Sequence, residues 1–110
     1  MDGLRRGDLV IVALAGDLGK PRPALVIQAD HFHRLPAVTL LPLTSTLEDA
    51  PLLRVQIEPD TQNGLSRISH VMIDKAVTQP LRKIGRVIGH LNDAAMLEVN
   101  RSLAVFLGLA

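Results

Sequence analysis

Apolar residues in this chain fall into short runs rich in β-branched side chains, each closed within a few residues by glycine, proline or asparagine. Runs of this length fit strands, which rise about 3.3 Å per residue, and are too short for amphipathic helices. Leu9–Leu14, begun by Arg6-Gly7-Asp8, reads as a buried strand, and Ala24–Gln28 as a second. Ala37–Leu43 is a third, stopped by Pro42 and the hydroxyl cluster Thr44-Ser45-Thr46. Leu53–Glu58 alternates apolar with polar and predicts a strand with one wet face. Ser69–Thr78 and Ile84–Gly89 complete the set. Ala15–Pro21 and the Asn63-Gly64 region read as loops, Asp30–Arg34 as a turn or short helical loop, and Pro80 as the start of a helical turn.

After Asn92 the period changes. Met96, Val99, Leu103 and Phe106 recur at spacings of three and four, which predicts a helix with a core-facing stripe. Asn92 is the expected N-cap, Asp93 complements the helix dipole, Leu91 and Met96 form a hydrophobic staple, and Gly108 supplies the stop. Apolar residues continue around the last turns, a sign of self-association. Many short strands followed by one terminal helix predict a small antiparallel barrel with helical additions. With 110 residues and no repeat or linker, one domain spanning 1–110 is expected.

Composition narrows the function. The chain has no cysteine, which excludes disulfides and thiolate metal sites and agrees with a reducing compartment. A formal charge of +1 and only two aromatics, Phe32 and Phe106, exclude a nucleic-acid-coating surface or a base-stacking platform. The apolar run Leu9–Ala15 is too short to cross a bilayer, so a cytoplasmic protein without a membrane partner is expected.

Three segments could carry chemistry. In Lys20-Pro21-Arg22-Pro23 the prolines stiffen the backbone around Arg22, whose guanidinium matches oxyanion geometry at the mouth of a strand. An arginine paired with a surface carboxylate is the plain alternative. Thr44, Ser45 and Thr46 could bind a phosphate or cap a turn. Asp74, following Val71-Met72-Ile73, is either a solvent-facing strand residue or a buried acid needing a partner. His31 and His33 could face one way as metal ligands, but no spaced third ligand accompanies them, and His70 and His90 are isolated. No phosphate-binding glycine loop, HExxH or GxSxG motif is present.

Taken in order, Arg6-Gly7-Asp8-Leu9-Val10, Arg22-Pro23-Ala24-Leu25-Val26-Ile27-Gln28, Pro42-Leu43-Thr44-Ser45, Asn63-Gly64-Leu65 with Ser69 and Val71, Asp74-Lys75, and Ile88-Gly89 resemble the MazF/PemK toxins, the mRNA interferases. The resemblance implies an SH3-like barrel with a C-terminal helix, a homodimer, and cleavage of single-stranded RNA without metal or other cofactor. It also implies neutralisation by a cognate antitoxin protein. Arg22 and Thr44 match the family's catalytic pair, and Asp74 resembles an acidic residue some members use. Ser69 resembles a serine lining the site, and Lys20, Ser45 and Lys75 are expected to help bind substrate. The chain lacks the family's Gly-Ser-Glu element in Ala15–Pro21 and has Val77 where many members carry a basic residue. A guanidinium is a poor general base, so Arg22 is expected to stabilise charge at phosphorus, Thr44 to fix the phosphate, and Asp74 to accept a proton or orient Arg22. The alternatives are a gyrase poison of the CcdB type sharing the barrel, and a member that has lost its activity.

Overall fold

The structure is a computed structural model that describes residues 3–14 and 19–110. Seven strands appear in chain order: β1 (Asp8–Val12), β2 (Arg22–Val26), β3 (Ala37–Thr44), β4 (Arg54–Ile57), β5 (Ser69–Met72), β6 (Val77–Pro80) and β7 (Ile84–His90), followed by helix α1 (Asp93–Phe106). Every strand pair is antiparallel. The order across the sheet is β4-β5-β3-β2-β1-β7, with β6 beside the first half of β3. β3 is thus the hinge of the sheet. One edge pairs with β2, while the other passes from β6, at Ala37–Leu40, to β5, at Leu43 and Thr44.

The middle of the sheet, β1 to β3, is buried on both faces, which explains the near-continuous apolar runs of β1 and β2. Leu9, Leu25 and Leu41, adjacent across β1, β2 and β3, face a core shared with Val55, Val71 and the Val99 stripe of α1. Val10, Val12, Ala24, Val26, Val38 and Leu40 face a second core on the other side. The two ends of the strand path meet through the loop after β4: His90 N–H donates to the Gln62 carbonyl at 3.0 Å, which curls the sheet into the expected barrel.

Local signals act as the sequence predicts at both ends of the chain. Gly7, at φ 97°, turns the backbone into β1, and its carbonyl accepts from Leu91 N–H at 2.9 Å. Arg6 Nε donates to the Ile27 carbonyl at 2.8 Å and its Nη2 to Asn100 Oδ1 at 2.6 Å, so Arg6 ties α1 to the sheet. Asn92 caps α1 by accepting from Ala95 N–H at 2.8 Å, and Gly108, at φ 76°, ends it. Three-residue 3-10 turns occur at Asp30–Phe32 and, after Pro80, at Leu81–Lys83.

Four expectations need correction. The run Ser69–Thr78 is two strands, because the chain turns at Ile73-Asp74 to carry β6 back along β3. Asp74 therefore sits in a turn and not in an apolar strand. β3 runs through Pro42 to Thr44; Pro42 pairs with Ala24 without stopping the strand. Phe106 is 47% exposed and lies outside the core stripe, since the helix extends past the edge of the sheet there. The loop expected over Ala15–Pro21 lies outside the described residues at positions 15–18. Among the described residues no helix is long and apolar enough to cross a membrane.

Candidate active site

Arg22 opens β2 opposite Val12, and carrying the β2–β3 register two residues past Ala24–Pro42 brings it level with Thr44 at the end of β3. The two residues singled out from separate segments therefore meet at one corner of the sheet, held by strands buried on both faces. Arg22 is half-buried. Its Nη1 donates to the Leu43 carbonyl at 3.5 Å, the outer limit of a hydrogen bond, and its buried Nε has no partner among the described residues. Leaving a buried donor unsatisfied costs about 1–3 kcal/mol. A guanidinium held this way gains a partner when an anion enters.

Arg22 and Thr44 line an open cleft of about 700 Å³. Lys20 and Ser45 stand beside them, and Ser69, the first residue of β5, completes the wall next to β3. Thr44 Oγ1 accepts from Thr46 N–H at 3.1 Å, so it closes a turn and still lines the cleft. The turn-closing reading of the hydroxyl cluster holds, and it leaves Thr44 in the cleft wall. The facing side of the cleft is made by Ser66 and Arg67 from the loop after β4, and by Arg86 and Ile88 from β7. In total the lining holds four cations, Lys20, Arg22, Arg67 and Arg86, and five hydroxyls, with no carboxylate among the described residues. A net charge of +1 spread over the whole chain concealed this concentration.

Two predicted residues lie elsewhere. Asp74 and Lys75 are not in the cleft lining; Asp74 Oδ2 pairs with Lys75 Nζ at 3.7 Å in the β5–β6 turn, four residues beyond His70, the β5 partner of Thr44. β5 runs away from the Arg22–Thr44 corner, since Val71 pairs with Leu43 after His70 has paired with Thr44, so the turn at its end places Asp74 on the far side. The histidines are spread apart. His33 Nδ1 meets the Asp30 carbonyl at 2.9 Å, His31 packs edge-on against Phe32, and buried His70 bonds Gln56 Oε1 at 3.2 Å. Arg67, Arg86 and Ser66 are cleft residues that sequence reasoning missed, while Thr46 joins the hydroxyls it singled out. Arg86 lies in β7 between Gly85 and Val87, all three exposed, and the strand's burial does not alternate in a way that would single it out. Arg67 follows a turn, and nothing in its spacing points to the cleft.

The family model for "PemK-like, MazF-like toxin of type II toxin-antitoxin system" matches residues 5–107. A "Probable endoribonuclease MazF" of Mycolicibacterium smegmatis is 45% identical over 108 residues, covering 97% of this chain and 99% of the relative. Among solved structures, the Mycobacterium tuberculosis toxin MazF-mt6 superposes with a TM-score of 0.81 at 26% identity, covering 94% of this chain and 98% of that one. An endoribonuclease in complex with its cognate antitoxin, from a mycobacterial species, gives a TM-score of 0.84 at 24% identity over 98% of both chains, a likeness of fold.

Proposed function

Because the chain belongs to the PemK-like, MazF-like toxins of type II toxin–antitoxin systems, we propose that it is an endoribonuclease that cuts single-stranded RNA in the Arg22–Thr44 cleft. The observation that carries this reading is the buried, partnerless Nε of Arg22 in a cleft of cations and hydroxyls without a described carboxylate. Such a lining favours a phosphodiester over a neutral or cationic ligand.

The chemistry follows from what these groups can do. The substrate supplies its own nucleophile: the 2′-oxygen attacks the adjacent phosphorus in line with the 5′-oxygen, the P–O5′ bond breaks, and a 2′,3′-cyclic phosphate and a 5′-hydroxyl result. Negative charge builds on the non-bridging oxygens as the attack proceeds. Arg22 is placed to neutralise it: its Nε lacks a competing partner and its Nη1 has only the long Leu43 contact, so they need little reorganisation. Thr44 and Ser45 fix the phosphate, with Lys20 and Ser69 lining its approach. The proton of the 2′-hydroxyl goes to water or to a group outside the described lining, since that lining has neither carboxylate nor imidazole, and the leaving 5′-oxygen takes a proton from water. Asp74 and Lys75, which face away in their own turn, are assigned no contact with the scissile phosphate.

The test is incubation of the purified protein with a long RNA in excess chelator, followed by mapping of the ends. Cyclic-phosphate ends, and no cutting where the cleavage nucleotide is 2′-deoxy, support the mechanism; cutting of the deoxy substrate overturns it. The gyrase-poison alternative is not favoured, since the family and the 45% identical relative are toxins of the endoribonuclease kind. We further assign the protein a cognate antitoxin partner and a cytoplasmic location, where its substrate is made, and treat residues 1–110 as one domain. A homodimer is supported by the exposed apolar residues Leu97, Val105, Phe106, Leu107 and Leu109 on and after α1, which a lone chain would leave in water.

A further inference from the structure

The facing side of the cleft is built differently from the Arg22–Thr44 corner. Arg67 and Arg86 come from two elements locked together by backbone packing. Gly64, at φ 68°, lies so close to β7 that a Cβ there would stand 2.1 Å from the Ile88 carbonyl oxygen. Reciprocally, a Cβ on Gly89 would stand 2.2 Å from the Gln62 carbonyl oxygen. Asn63, 1% exposed, fixes the loop from within: its Nδ2 donates to the Glu58 carbonyl at 2.9 Å, and its Oδ1 accepts from Leu65 N–H at 3.0 Å. The loop that ends at Arg67 therefore has little freedom relative to the strand carrying Arg86.

Both arginines are exposed, and neither belongs to an ion pair among the described residues. Arg86 stands on β7, two strands from Arg22 on β2, roughly 10 Å at ordinary strand spacing. That spacing suits two neighbouring phosphates on one strand of nucleic acid, one held on each side of the cleft. We propose that Arg67 and Arg86 form a preorganised clamp for a phosphate neighbouring the scissile one, so that they set substrate affinity while Arg22 and Thr44 act on the bond being broken. This rests on the reading of the cleft as an RNA-cleaving site.

A clamp on a non-reacting phosphate binds ground state and transition state alike, so its loss raises KM and leaves kcat in place. Binding is measured with the full chain and a short 2′-O-methyl oligoribonucleotide, which attack by the 2′-oxygen cannot cut. One phosphate at a time is replaced by a neutral methylphosphonate. Arg67→Ala and Arg86→Ala should each weaken binding about tenfold and lower the slope of log affinity against log salt by about 0.7, the share of one contact on a single strand. One neutral linkage should cost the wild type most, each single variant less, and the Arg67→Ala, Arg86→Ala double variant nothing. In cleavage of unmodified RNA, both variants should raise KM and keep kcat within about twofold. Unchanged affinity and slope overturn the clamp, as do equal losses at every neutral linkage or a fall in kcat without a rise in KM. If the wild type binds the probe but cuts no RNA, the cleavage reading fails, and the methylphosphonate scan still decides the clamp.

Discussion

Arg22 has its guanidinium half-buried and its Nε without a described partner, so its truncation removes a group that is more useful to a ligand than to the fold. Arg22→Ala should lower kcat about 10²–10³-fold, the usual cost of deleting a donor aimed at developing charge. The thermal midpoint should hold or rise slightly, because an unsatisfied buried donor leaves with the side chain. Thr44→Ala should also lose most cleavage. Thr44→Ser, which keeps the oxygen that accepts from Thr46 N–H, should retain part of it. Asp74→Asn should stay within about threefold of wild type, since its carboxylate pairs with Lys75 outside the cleft lining. Loss of cleavage to the level of Arg22→Ala would return Asp74 to the chemistry.

Among elements, the loop after β4 has the largest effect for its length, because it joins the two ends of the strand path. Asn63→Ala leaves the Glu58 carbonyl and the Leu65 N–H without their partner, and should cost about 2–3 kcal/mol in urea unfolding. Gly89→Ala forces β7 away from Gln62 and should cost at least as much, with cleavage falling further than stability alone accounts for because Arg86 moves with the strand. Such contacts show where sequence reasoning stops. Strands, capped helix and turns are legible because their causes are local: a period, a proline, an asparagine before the first turn. The Arg22–Thr44 meeting is reachable only by family likeness, because it depends on the register between strands far apart in sequence. The turn at Ile73-Asp74 is hidden inside an apolar run that lacks glycine or proline. The close approach of Gly89 to the Gln62 and Asn63 backbone gives a packing reason for a glycine whose sequence spacing alone suggests none.

For the molecule as a whole, charge is distributed very unevenly. Four of its twelve Lys and Arg residues line one cleft, while none of its eleven acidic residues is among the described lining, so the remaining surface is net acidic. An acidic exterior repels long polyanions and leaves one attractive opening. Binding to duplex DNA should therefore be weak and vanish by moderate salt, as a filter-binding titration would show; tight binding at physiological salt would contradict this distribution. Association through the end of α1 makes a separate prediction. Val105→Glu, at a position already 55% exposed, should leave the monomer folded and shift sedimentation from dimer to monomer.

The cleft lining begins at Ile11 on β1 and ends at Ile88 on β7, so it draws on nearly the full span of the chain. Its assembly depends on contacts between residues distant in sequence, the kind that form late because closing long loops costs entropy before it returns any enthalpy. Until β7 pairs with β1, the wall that carries Arg86 and Ile88 is missing, and the site that would cut RNA does not yet exist. A protein of this architecture thus has no half-formed cutting site: the cleft appears in one step, when the last strand closes on the first.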